Sequence, residues 1–419
     1  MGITRRQAVL SGIAAGAAVP ALRRARAETT LKVVFNGWPD EQIRPLFEGF
    51  ETANPDLKAP YERIPSKDLY QTLETRLAAR TPEPDSYSCE SSLTAGYAAR
   101  GHALSLDEVL DRKRFTKAAV DAATFRKKLY SAPFASSSQL LFYNRALFHE
   151  AGIEPPSPDL TKRWTWEHIV EVGRKLADPA KNRWGIVFEQ PDRPYQMLPF
   201  GESLDGSALS MVGLQATGHI DGPEFVEGFS FLQRMYTEWK VAPAGVFDSS
   251  ATKDLFGTGH SAMFIGGTWN FADFPQKYKD LDWGVGPHPY FAKGKPVTPT
   301  GCWHIAINSR SRNQDAAVRF IHYMTSDEAQ LAWFKLHPYP PVLLSVWEKL
   351  SDTFNTDGWR IVRYELEHTA MPRPPSPGYR EFEDLLSVTL RELQTGGDIP
   401  ILLTATARRI DHELDKYKN

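Results

Sequence analysis

Leu31-Lys-Val-Val-Phe35 is an apolar strand ending at Asn36-Gly37, and it runs directly into a helix. In that helix Ile43, Leu46, Phe47 and Phe50 recur at i, i+3, i+4 and i+7, one apolar stripe. Asn54-Pro55-Asp56 stops the helix, and Leu57 to Arg63 reads as a second strand. Ser66 is expected to cap a helix carrying Leu69, Tyr70, Leu73 and Leu77 on one face. Asp85-Ser-Tyr-Ser88 reads as a third strand, and Leu104-Ser-Leu-Asp107 as the start of a further helix. Strands alternating with helices predict an α/β fold built on a mainly parallel sheet with helices on both faces. Ligands of such sheets sit beyond the carboxyl ends of the strands. That rule points at Asn36–Trp38 and Ser88–Glu90.

The same rhythm continues outward. Thr165 is placed to cap a helix with Trp166, Ile169, Val170 and Leu176, and Trp184–Phe188 reads as a strand. Asp221-Gly-Pro-Glu224 has the spacing of a capping box, opening a helix with Phe225, Phe229, Leu232 and Tyr236. Ala262–Ile265 reads as a strand ending at Gly266-Gly267. Thr325-x-x-Glu328 is expected to cap one more helix.

Composition narrows the function. The 419 residues hold 49 basic and 51 acidic side chains, a formal charge of −2, without the basic excess of a nucleic-acid binder. Two cysteines exclude a disulfide framework, and Cys89 and Cys302 are read as free buried thiols. Residues 1–27 have the features of an export signal: the pair Arg5-Arg6, an apolar stretch from Ala8 to Leu22, and the cleavage pattern Ala25-Arg-Ala27. The paired arginines resemble a twin-arginine signal. Removing the five arginines of this segment, which has no acid, leaves a mature charge of −7. The expectation is a soluble, monomeric protein in the periplasm of a Gram-negative bacterium.

Catalytic signatures are missing. There is no H-E-x-x-H, P-loop or G-x-S-x-G, and the 11 histidines form no i, i+4 pair. The reading is a protein that is not an enzyme, without cofactor or metal.

Five segments resemble the extracellular solute-binding proteins of family 1, the sugar-binding receptors of ABC importers related to maltose-binding protein. They are Phe47-Glu-Gly-Phe-Glu-Thr-Ala-Asn-Pro-Asp56; Leu129-Tyr-Ser-Ala-Pro-Phe134 with Leu141–Phe148 and Ala151-Gly-Ile153; Trp164-Thr-Trp-Glu167; Gly259–Trp269; and Ala316–Thr325 followed by Ser326-Asp-Glu-Ala329. The resemblance implies a two-lobed periplasmic-binding-protein fold of type II, with solute trapped between the lobes and delivered to the transmembrane subunits of a permease. It places lobe 1 at 28–136 and 297–338, and lobe 2 at 137–296 and 339–419.

A sugar site needs a flat aromatic to stack on and convergent polar groups for hydroxyls. Trp38 follows Asn36-Gly37 at a strand end. Trp269 follows Gly266-Gly267-Thr268, and its position matches the aromatic that stacks on solute in many family members. Trp303 sits in Gly301-Cys-Trp-His304. Trp164, Trp166, Trp239 and Trp333 lie in or beside amphipathic helices and are read as packing. Ser136-Ser-Ser-Gln139 lies where the chain of family members first crosses between lobes, which nominates Ser137 and Gln139. Glu90 and Glu189 end strands and are nominated as hydroxyl acceptors, with Gln190 and Tyr195 close behind the second. Gly267 and Thr268 complete the set with Arg373, held between Pro372 and Pro374. An arginine there suits an anionic solute, so a same-fold receptor for an anionic or non-sugar solute, such as a sugar acid, sulfo-sugar or polyol phosphate, stands as the alternative to a carbohydrate receptor, with an exported hydrolase behind it.

Overall fold

The computed structural model describes residues 28–418; the expected export segment lies outside these, as do the side chains of Lys67 and Cys302. Val33–Asn36 is flanked in parallel by Tyr61–Ile64 and Ser86–Glu90. Thr298–Ile307 continues this sheet, antiparallel to Ser86–Glu90 on one side and to the long strand Ala132–Asn144 on the other.

Ala132–Asn144 joins the halves of the molecule. Its 13 residues are all buried, and at about 3.3 Å per residue they span roughly 43 Å. Up to Ser138 it pairs with Thr300–Ile305, whereas from Gln139 it pairs with Met263–Gly267 and Trp283–Gly286. Trp184–Phe188 closes the second half, parallel to Ser261–Gly267. Parallel pairing holds among Val33–Asn36, Tyr61–Ile64 and Ser86–Glu90 and between Ser261–Gly267 and Trp184–Phe188, while every ladder made by Ala132–Asn144 is antiparallel. Ser136–Gln139 marks the place where one set of partners gives way to the other.

Local chemistry explains the elements and the departures from expectation. Asp40–Ala53 buries Ile43, Leu46, Phe47 and Phe50, the stripe read from sequence. The Thr165 hydroxyl accepts the His168 amide at 3.2 Å and opens Trp166–Leu176, a cap worth about 1 kcal/mol. No helix forms at 104–107, because Leu104 N donates to Ile307 O and Leu106 N to Leu129 O, pinning the segment to its neighbours. Ser66 Oγ donates to Asn36 Oδ1 rather than capping its helix, and Asp221 accepts the Gly218 amide. Ser326, not Thr325, caps the helix Asp327–Leu336 by accepting from Ala329 N.

One buried cluster gathers Leu31, Phe35, Trp38, Ile43, Phe134 and Trp333. A second gathers Leu141, Trp166, Phe188 and Phe229 with the helices Tyr379–Leu393 and Ile399–Leu414. Tyr339, Val342, Leu343 and Val346 belong to the first. Residues 339–346 pack on this first cluster, where Val342 O accepts from Thr116 N and Leu343 bridges Phe115. Among the described residues no helix is long and apolar enough to cross a membrane.

Candidate functional site

A cavity of about 550 Å³ is lined by strand ends and helices of both halves of the molecule. Ser136, Ser137, Glu90, Trp303, Tyr70 and Tyr339 line it from the first half, and Glu189, Arg193, Tyr195, Lys253 and Trp269 from the second. Arg373 and Arg380 complete the wall.

Trp269 and Trp303 are both half-buried and both line the cavity, as expected from sequence. Trp38 does not. It is 7% exposed and packs beneath the site, 5.5 Å from Trp303 and 4.9 Å from Trp333 between ring centroids. Its ring supports Trp303 instead of meeting solute. Trp166 and Trp333 are core, as read.

Glu90 ends its strand inside a charged network. Tyr70 donates to it, Arg373 pairs with it, and Arg193 approaches at 3.5 Å while reaching Glu383 at 3.1 Å. Burial works against the Glu90 charge, but Arg373 and Arg193 outweigh it and hold the carboxyl below its usual range. Arg373 also donates to Ser92 Oγ at 3.1 Å and lies over the Tyr195 ring, 4.0 Å from its centroid. Its charge is taken up by Glu90 within the protein, so the expected role of reading an anionic solute is not supported by the geometry.

Glu189 is 1% exposed in side chain and takes four donors: Trp269 Nε1 at 2.7 Å, Asn270 Nδ2 at 3.0 Å, Gly267 N at 3.1 Å and Lys253 Nζ at 3.3 Å. A carboxylate offers about four lone-pair sites. Three hydrogen bonds and the Lys253 ion pair commit Glu189 within the protein, against the expectation that it accepts a solute hydroxyl. Desolvation raises its pKa despite Lys253 and these donors. Lys253 also meets Asp273 at 2.6 Å, and the two carboxylates keep the ammonium charged although burial opposes it. An ammonium has three donors, so one remains for the cavity.

The other nominated residues divide. Ser137 lines the cavity, donating to Gly301 O at 3.1 Å and accepting from Gly301 N at 3.0 Å. Gln139 and Thr268 are fully buried and do not line it. Gly267 is also behind the wall. A Cβ there would lie 2.2 Å from the Trp269 ring, so glycine is what lets the indole fold over the backbone. Tyr70, Arg193, Lys253, Tyr339 and Arg380 also line the cavity, and each is a lone polar or aromatic residue on a helix or loop with no local sequence signature. Cys89 is a free, buried thiol.

The family of bacterial extracellular solute-binding proteins matches this chain over residues 36–331.

The chain belongs to that family.

Among relatives, it is 25% identical to the maltotriose-binding protein of Pyrococcus abyssi, covering 72% of this chain and 63% of that one. It is also 25% identical to the sn-glycerol-3-phosphate-binding periplasmic protein of Salmonella paratyphi A, covering 52% and 50%. The chain thus spans half to somewhat under two thirds of these relatives. An ABC substrate-binding protein of Listeria monocytogenes, solved with cycloalternan, superposes with a TM-score of 0.81 at 23% identity, covering 92% of this chain and 98% of that one. The acarbose-binding GacH receptor of Streptomyces glaucescens gives 0.81 at 21% identity over 93% and 100%. These likenesses establish the two-lobed fold.

Proposed function

We propose that this protein is the periplasmic receptor of an ABC importer and captures a neutral carbohydrate between its lobes for delivery to the permease. One observation carries the reading: the cavity has a half-exposed tryptophan on each wall, Trp269 and Trp303, and its charges come already paired. Indole faces suit the apolar face of a sugar, and the paired cations still offer N–H groups to hydroxyls without demanding a counter-ion. The volume falls in the ordinary range for small-molecule sites, about 300–1,000 Å³. Names of relatives and neighbours, which include maltotriose and acarbose, point the same way. Export through a twin-arginine signal, action as a monomer, and a lobe division near residues 136 and 296 belong to this proposal, with the segment through Val346 assigned to lobe 1.

Thermal shift of residues 28–419 against neutral saccharides, sugar acids and polyol phosphates tests it, since a ligand that binds only the folded state raises Tm by mass action. Neutral saccharides should raise Tm, with no product formed. A rise confined to phosphates or sugar acids would instead assign an anionic solute, the chemistry that the sn-glycerol-3-phosphate relative's name carries.

A further inference from the structure

The second wall of the cavity is held together by hydrogen bonds within the protein. Four donors from three elements converge on Glu189: the Trp269 indole, the Gly267 amide, Asn270 and Lys253. Two glycines clear the space this requires. A Cβ at Gly266 would lie 2.7 Å from Glu189 Oε2, and one at Gly267 would lie 2.2 Å from the ring of Trp269. The turn is also hung on the crossing strand, because Thr268 N donates to Ser138 O at 3.0 Å. The ring is therefore held at its N–H edge by Glu189 and seated over a bare backbone.

We propose that Glu189 is a positioning residue that locks the Trp269 indole in its ligand-facing orientation, so that the aromatic wall exists in the solute-free protein. This rests on the reading of the cavity as a saccharide site, although the locking itself does not require a ligand to be seen. A glutamine cannot replace the carboxylate. It offers one acceptor oxygen and an NH2 group to a position surrounded by donors, so either the indole and Lys253 or Gly267 and Asn270 would face a second donor. Pre-organisation of this kind lowers the ordering cost of binding.

The test uses the mature protein labelled with 5-fluorotryptophan, with the Trp269 resonance assigned by Trp269→Phe. Without ligand, Glu189→Gln should shift or broaden the Trp269 fluorine resonance while most other tryptophan resonances stay in place. A folded Glu189→Gln with an unchanged Trp269 resonance overturns the proposal. Should that variant not fold, the wild-type 1H–15N spectrum decides. The Trp269 indole N–H should be protected from solvent exchange although the ring is half-exposed, and free exchange contradicts the lock. With maltotriose as the first saccharide probe, Glu189→Gln should weaken binding about tenfold or more. If wild type binds no saccharide at all, the proposed function fails while the ligand-free resonances still decide the role of Glu189.

Discussion

Glu90 and Glu189 occupy matching places in the two halves of the molecule, and they do different work. Each lies at the end of a strand that has a parallel partner, each is almost fully buried, and each lines the cavity. Glu90 draws its charged partners from afar: Arg193 follows a strand of the other half, and Arg373 comes from the proline-flanked loop near the C-terminus. Glu189 draws its partners from its own half, and chiefly from the turn that carries Trp269. One carboxylate ties the lobes together across the site; the other builds one wall of it. A third buried acid, Glu202, shows the default. With only Lys295 as a nearby charge, burial pushes its carboxyl up to about 8. Partners, rather than burial, decide what an interior carboxylate can do.

The largest effect should come from breaking the tie. Glu90→Gln leaves Arg373 buried with its main counter-charge gone, a change worth roughly 3–5 kcal/mol of stability. Thermal denaturation should show a marked fall in Tm, whereas an unchanged Tm would mean that Glu90 does not couple the lobes.

Glu202 gives the next largest effect, with the opposite sign. A folded pKa above the unfolded one contributes stability that is present below about 4.5 and lost as pH rises through about 8. Glu202→Gln removes that loss. At about 1.4 kcal/mol per pH unit, its stability relative to wild type should climb by roughly 3–4 kcal/mol between pH 5 and pH 8. A difference that does not vary with pH would refute the assignment.

Trp269→Ala should cost roughly 2–4 kcal/mol of saccharide binding, the range of aromatic hot spots, or about 30- to 1000-fold in affinity. Its effect on folding should be smaller, since the ring faces the cavity on one side. A collapse of Tm with little change in affinity would make the ring packing.

The smallest effect should come from an exposed pair in the first half. Arg76 and Glu62 meet at 2.6 Å, but their side chains are 38% and 53% exposed. Solvent screening limits such pairs to about 0–1 kcal/mol, so Glu62→Gln should hardly move Tm. A loss equal to that of Glu90→Gln would erase the contrast between interior and surface.

Much of this architecture was legible from periodicity, because amphipathic spacing reports directly which face is buried. The stripe Ile43, Leu46, Phe47, Phe50 and the strand Trp184–Phe188 appear where they were read. The site was legible where backbone chemistry is local: Gly266-Gly267-x-Trp269 describes a turn that a ring must cover. Trp38 carries a similar local pattern after Gly37, yet Trp303, Trp333 and Tyr339 cover it from segments some 265 to 301 residues away. No local reading separates these two tryptophans. For the same reason Arg193 and Lys253 went unread: what marks them is the carboxylate each one meets across the fold.

The most direct test of the central claim is isothermal titration of the mature protein with the neutral saccharide that most raises its Tm, run alongside the Trp269→Ala variant. The account predicts saturable one-to-one binding with a negative heat-capacity change from apolar burial, weakened at least 30-fold in the variant. Equal affinity in the two proteins would contradict a carbohydrate stacked on Trp269.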